Sequence, residues 1–240
     1  MEKYYKVMYK DSANSFYNLL EDYLVNNKKE FIVTANPETF MKSLEDKEVT
    51  KLLSDKNTLL VPDGIGIVKS SKMLGYDITE RITGIDIAYE LLKLGNKYHK
   101  KIYLFGSMQK VIDMMLEVLK KDYPNLVIVG SSNGYVNDKD KVFDEISKLK
   151  PDIVLVALGI PLQEKLIYKH LNKFDKGIFV GVGGSFDVIS GYKKRAPKIF
   201  IKLNLEWLYR IIKEPKRIKR FFESNVKFMI YNYKLRKSRR

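Results

Sequence analysis

The 240-residue chain is 45% hydrophobic and 12% aromatic. That is enough for one sizeable core with a small appendage, and it excludes disorder as the overall state. Cysteine is absent, which excludes disulfides, thiolate metal sites and cysteine nucleophiles and leaves His99 and His170 as the only imidazoles. The net charge of +15 is concentrated at one end: residues 191–240 hold 17 lysines and arginines against Glu206, Glu214 and Glu223, a net of +14, whereas the first 190 residues sum to +1. A cationic tail on a nearly neutral body points to an anionic partner for the tail alone: nucleic acid, membrane phospholipid or a phosphorylated substrate.

In chain order, the opening MEKYYKVMYKDSANSF lacks the apolar core of a signal peptide, and no stretch reaches the roughly 18 apolar residues of a spanning helix. A cytosolic protein is the expectation. Six short runs have the length and β-branched content of buried strands: FIVTAN (31–36), TLLVPDG (58–64), KIYLFGS (101–107), LVIVG (126–130), DIVLVALG (152–159) and GIFVGVGG (177–184). Between them the periodicity predicts helices over 38–54, 64–74, 84–98, 108–122, 138–149 and 161–173. In the third of these, Ile85, Ala88, Leu91 and Leu92 share one face. Strands alternating with such helices imply parallel pairing through right-handed crossovers, hence an α/β fold with a Rossmann-like, mostly parallel sheet flanked by helices. There is no internal repeat and no low-complexity linker.

The tail predicts a helix from Pro197 to about Lys213, with Ile199, Phe200, Leu203, Trp207, Ile211 and Ile212 at helical spacing, broken at Glu214-Pro215. A second amphipathic pattern follows through Ile218, Phe221, Phe222, Val226, Met229 and Tyr233, with most of its lysines and arginines off that stripe. The chain therefore divides into an α/β catalytic domain, 1–190, and a basic helical appendage, 191–240. The appendage could pack on the body, lie on a membrane or enter a partner.

Several strands end in small or polar residues, and in open parallel sheets ligands bind at the carboxyl ends of the strands. Neither Gly64-Ile-Gly66 nor Gly181-Val-Gly183-Gly184 completes a dinucleotide fingerprint, there is no Walker lysine loop, and Gly-x-Ser-x-Gly is missing. A nicotinamide-dependent oxidoreductase is disfavoured accordingly. Asp138-Lys-Asp140 has the form of a metal-binding Asp-x-Asp but opens a helix, so it reads as capping. Asp63 stands alone at a strand end, open to two readings: a general base, or a cap on the helix beginning at Gly64.

The segment GVGGSFDVISGYKKRAPKIFIKLNLEWLYRIIKEPKRIKR, 181–220, resembles the signature end of the WecG/TagA/CpsF glycosyltransferases: GVG-x-x-FD, G-x-x-x-RAP, LEWL-R and EP-R-x-x-R in that order. Upstream, TANPE (34–38), PDG-x-G (62–66), RITGID (81–86), FG (105–106) and LG-x-P-x-QE (158–164) match in order, so the resemblance spans roughly residues 30–220. One departure is Asn204, where the family pattern favours glycine.

The resemblance implies inverting transfer of a sugar, typically N-acetylmannosamine or its uronic acid, from a UDP donor to polyprenyl-diphosphate-linked N-acetylglucosamine at the inner face of the plasma membrane. It gives Asp63 the role of catalytic base, Thr34 and Asn36 that of positioning the sugar or acceptor, and Arg81 and Gln163 places in the pocket. Gly183 and Asp187 lie on the turn where backbone amides could approach the nucleotide. Arg210, Arg217 and Arg220 are the expected diphosphate ligands, since guanidinium groups clamp phosphate oxygens; a mechanism without metal or other cofactor follows. The remaining cations, with Phe221, Phe222, Met229 and Tyr231, suit an anionic membrane surface. Nucleic acid is the rival partner for the tail, but it gives no reason for PDG-x-G or RITGID. A homo-oligomer is plausible on the commonness of closed symmetric assemblies alone.

Overall fold

The structure is a computed structural model and describes residues 1–238. The last two residues of the basic appendage, 239 and 240, lie outside the described residues. Six strands, β1 (Lys29–Ala35), β2 (Thr58–Pro62), β3 (Lys101–Gly106), β4 (Val127–Ser132), β5 (Ile153–Ala157) and β6 (Gly177–Gly181), form one all-parallel sheet in the order β2-β1-β6-β5-β3-β4. Successive side chains alternate between its faces. Phe31, Val33, Phe105, Val154, Val156 and Phe179 enter one core, while Ile32, Leu104, Ile153, Leu155, Ile178 and Val180 enter the other. Each such side chain contributes about 1.5–3 kcal/mol by leaving water.

The first core is covered by α1 (Glu2–Val7), α3 (Pro37–Glu45), α4 (Lys47–Ser54), α8 (Lys139–Leu149) and α9 (Leu162–His170). The second is covered by α2 (Ala13–Val25), α6 (Gly84–Lys97), α7 (Gln109–Asp122) and the short α10 (Ser185–Ile189). Crossovers that step toward β2 carry their helices on the first face, and those that step toward β4 carry α6 and α7 on the second. Right-handed connection requires this arrangement. The chain leaves neighbouring β1 and β6 toward opposite faces, which opens a crevice above their carboxyl ends.

The predicted strands and most of the helices are present, with four differences. The helix expected over 38–54 is two helices, because Asp46 turns out of helical geometry and its carboxylate accepts the N–H groups of Glu48 and Val49, capping α4. The last strand stops at Gly181, and Gly183 adopts φ +49, a left-handed turn. Two helices that the periodicity did not predict open the chain, α1 and α2; α2 covers the sheet through Phe16, Leu20 and Leu24, four residues apart, with Ser12 accepting the Ser15 N–H at its start. The first tail helix is interrupted: α11 (Lys198–Lys202) and α12 (Glu206–Lys213) flank Asn204 at φ +60. That is the left-handed region which glycine favours and asparagine tolerates.

From Arg217 the tail is one continuous helical run: α13 (Arg217–Phe221), a π-helical turn (Phe222–Val226) and α14 (Lys227–Ser238). It packs on the body. Phe228 is buried with its ring 5.6 Å from Phe40, and the Tyr5 hydroxyl donates to Asn232 Oδ1 at 3.2 Å.

Candidate active site

β2 ends at Pro62, and the chain turns through Asp63 and Gly64, whose φ of +94 suits only glycine, into α5 (Ile65–Met73). The Asp63 N–H donates to the Ala35 carbonyl, which fixes the residue at the mouth of the β1–β2 pair. Its carboxylate neither caps α5 nor accepts any hydrogen bond among the described residues, so the capping role fails on geometry. The side chain is partly open to the crevice but walled by protein. Burial pushes its pKa up from 3.8 to about 6 against the pull of Arg210 and Arg81, with Glu206 and Asp86 adding to the rise. A carboxylate poised near neutrality and not engaged in structure can take a proton.

The segment carrying RITGID returns to this point: the Ile82 N–H donates to the Pro62 carbonyl at 2.7 Å, setting Arg81 beside Asp63. Thr83 then caps α6, accepting the Asp86 N–H while its hydroxyl donates to the Asp86 carboxylate at 2.6 Å. Gly84, in the first turn of this helix, faces Thr34: a Cβ there would be in ordinary contact with Thr34 Oγ1 at 3.5 Å. Buried Thr34 therefore lines the same end of the sheet.

The tail closes over it. Glu206, in the first turn of α12 and 6% exposed, lies 3.3 Å from Arg210, 3.8 Å from Arg195 Nε and 3.9 Å from Arg81. Arg195 also pairs with Asp86 at 2.7 Å, and Arg81 donates to the Ile201 carbonyl. Asp63, Arg81, Asp86, Arg195, Glu206 and Arg210 thus form one charged cluster drawn from three distant stretches of chain. A cavity of about 260 Å³, lined by Ile65, Val68, Thr79, Glu80, Arg81 and Asn204, abuts it. A larger apolar groove of about 540 Å³, between Met73 and the Met229, Ile230, Tyr233, Lys234 and Lys237 face of α14, lies at the other end of α5.

The other expected residues sit around this cluster in different capacities. Asn36 caps α3, its Oδ1 accepting from both the N–H and the hydroxyl of Thr39. Gln163 is buried beneath the glycine turn: its Oε1 accepts from Gly159 and Gly183, its Nε2 donates to Glu164, and a Cβ on Gly181 would strike it at 2.5 Å. It holds two strand-end turns in place, and the Gly183 N–H is committed to it. Asp187 accepts from Ser107 Oγ and pairs with Lys193, which also reaches Glu214. Arg217 is held by Glu214 and Arg220 by both oxygens of Glu38, so these two are stationed along the rim, outside the charges that act most strongly on Asp63.

Asp86, Arg195 and Glu206 were missed as site residues. Each lies inside a quoted motif, RITGID, RAP or LEWL-R, but nothing in local spacing announces that the three converge. Away from the site, Asp138 caps α8 through the Lys141 N–H, and Asp140 pairs with Lys169 and with buried His170, which stacks on Phe143. Both are structural. No three His, Asp or Glu side chains among the described residues are grouped to hold a metal ion.

Comparison with known proteins places the chain among sequence relatives. The N-acetylglucosaminyldiphosphoundecaprenol N-acetyl-beta-D-mannosaminyltransferase of Bacillus subtilis strain 168 is 42% identical over 210 residues, covering 87% of this chain and 82% of its own. The protein of that name from Bacillus spizizenii is 43% identical over 207 residues, 86% and 80% of the two chains. That from Staphylococcus aureus strain MW2 is 38% identical over 211 residues, 88% and 81%. The profile of the glycosyl transferase WecG/TagA/CpsF family matches residues 5–240, and with the ordered motifs gathered around Asp63, this chain belongs to that family.

Proposed function

We propose that this chain is an inverting glycosyltransferase that moves N-acetylmannosamine from a UDP donor to N-acetylglucosamine carried on a polyprenyl diphosphate; the names of its relatives describe for them the transferred sugar and the diphosphoundecaprenol-borne acceptor. The observation that carries the reading is Asp63: a strand-end carboxylate, free of hydrogen bonds, raised to about 6 and faced by Arg81 and Arg210. Asp63 takes the proton of the acceptor hydroxyl as its oxygen bonds to the anomeric carbon. The bond from that carbon to the UDP oxygen breaks on the opposite side, inverting the centre. The charge that develops on departing UDP is met by guanidinium groups of Arg81 and Arg210, with Arg217 and Arg220 on the rim. Neutralisation by arginine makes a metal ion unnecessary in this scheme.

We assign the tail a second role, docking on the anionic inner face of the membrane. Ile199, Leu203, Ile212, Ile218, Phe222 and Tyr233 are each half or more exposed, interleaved with lysines and arginines, and each such cation near an anionic surface contributes about 1 kcal/mol. No helix among the described residues is long and apolar enough to cross a membrane. The test is radiolabel transfer from a panel of UDP-sugars to a short-chain prenyl-diphosphate-N-acetylglucosamine, with and without EDTA, comparing the intact chain with Asp63→Asn. Transfer from UDP-N-acetylmannosamine that survives EDTA and falls at least a hundredfold in the variant is expected. Equal transfer by both proteins would remove Asp63 from the mechanism.

A further inference from the structure

Among the described residues, Glu206 is the only side chain that touches three arginines. Its carboxylate meets Arg210 at hydrogen-bond distance and lies within ion-pair distance of Arg195 and Arg81, cations that reach it from α12, from the 191–197 turn and from the segment before α6. Three guanidinium groups converging on one crevice repel each other, and the shared anion is what makes the arrangement stable. The dependence is unequal. Arg195 has a second partner in Asp86 and Arg81 a second acceptor in the Ile201 carbonyl, whereas Arg210 has no other ion pair or hydrogen bond among the described residues. Arg195 Nε is buried without a hydrogen bond, so even this guanidinium is oriented by charge rather than saturated.

We propose that Glu206 is a positioning residue whose buried carboxylate holds Arg81, Arg195 and Arg210 as a cationic wall at a set distance from Asp63, keeping those arginines for the substrate diphosphate and off the base. The assignment of the diphosphate rests on the glycosyl-transfer reading; the positioning of the arginines does not. Without Glu206 the freed Arg210, the cation that already acts most strongly on Asp63, can swing toward that carboxylate, and pairing with it would quench the base. The groups that face Asp63 are Arg210, Arg81, Glu206 and Asp86, so deleting Glu206 removes a repelling charge as it releases an attracting one. Both effects draw the Asp63 proton affinity down.

The decisive experiment is a carbon-13 carboxyl NMR titration of Asp63 in the full, ligand-free chain, comparing wild type with Glu206→Gln. The midpoint, about 6 in the wild type, is expected to fall by half a unit or more. A midpoint unchanged by the substitution overturns the proposal, whatever reaction the protein performs. In the transfer assay, Glu206→Gln is expected to lower kcat/KM about tenfold or more and to move the acid limb of the pH profile downward. In an Arg210→Gln background the same substitution should cost less than about threefold, because its main route of action is already gone. Full additivity would contradict it. Should Glu206→Gln fail to fold, Glu206→Asp keeps the charge but withdraws it by one methylene, and a smaller downward shift of the same midpoint is expected.

Discussion

Replacing Asp63 by Asn removes the proposed base and should also stabilise the folded chain. Folding carries this carboxyl from an ordinary 3.8 to about 6, so the folded state holds the proton more tightly than the unfolded state. Between those values the folded state binds more protons, and stability falls as pH rises through the window; above pH 6 the full penalty is present, and below about pH 4 it vanishes. A shift of about two units corresponds to an upper bound of about 3 kcal/mol, and the solvent that reaches part of the side chain trims this to about 1–2 kcal/mol. Asn is nearly isosteric and carries no charge to desolvate. For a chain of this size the gain corresponds to a Tm higher by about 2–8 °C. Thermal unfolding of wild type and Asp63→Asn at pH 4 and pH 7.5 reads it directly, with the two proteins close at the lower pH and separated at the higher. Glu30 and Glu164 are also raised, each to about 7, but they titrate in both proteins and cancel in the difference. If Asp63→Asn is equal to wild type or less stable at pH 7.5, the crevice does not disfavour the charged carboxylate, and its assignment as a base poised near neutrality loses its physical ground.

At the tail junction, Asn204→Gly should leave stability unchanged or slightly higher, whereas Asn204→Val should cost about 1–2 kcal/mol, because φ +60 suits glycine, is tolerated by asparagine and strains a β-branched residue; urea midpoints test it. Replacing exposed Ile218 and Phe222 together by Ser should weaken sedimentation with anionic vesicles severalfold and leave Tm within about 2 °C, since neither side chain belongs to the core. If vesicle binding is unchanged in 0.1 M salt, these residues do not meet the bilayer.

The sheet was legible because burial on both faces demands continuous β-branched runs, and Phe31-Ile32-Val33 or Ile153 to Val156 cannot satisfy that demand elsewhere. Helix interruptions were less so. Asp46 and Asn204 act through a backbone angle and a cap, local events that apolar periodicity averages over. The site was legible as a set of motifs but not as a set of contacts. Asp63 is identifiable from its lone place at a strand end, yet whether it caps or stays free depends on Gly64, not Asp63, standing at the N-cap of α5. Asn36 and Gln163 lie at the expected end of the sheet with their oxygens bonded inward, to Thr39 and to the glycine turns. For Asn36 the cause is local, the N-cap of α3; for Gln163 it is burial, which the sequence does not show.

The charge boundary at residue 190 also acquires a different meaning. Composition separates a neutral body from a basic tail, but Arg195, Glu206 and Arg210 on the tail side share one charged cluster, centred on buried Glu206, with Asp63 and Arg81 on the other. Further along, Phe228 and Asn232 cover Phe40 and Tyr5, side chains of the main core. Cutting the chain after Gly191 would therefore do three things at once: remove Arg195 and Arg210 from the crevice, bare apolar surface on the body and delete the cations proposed to face the membrane. Loss of activity in such a truncation would not say which mattered. Point changes separate them, because Arg210 is half exposed and Phe222 lies outside the core, so each can be removed without opening the fold. If Arg210→Gln abolishes transfer to a short-chain, water-soluble acceptor while Phe222→Ser affects only a vesicle-borne one, the tail acts in chemistry and in docking through different residues of one packed element.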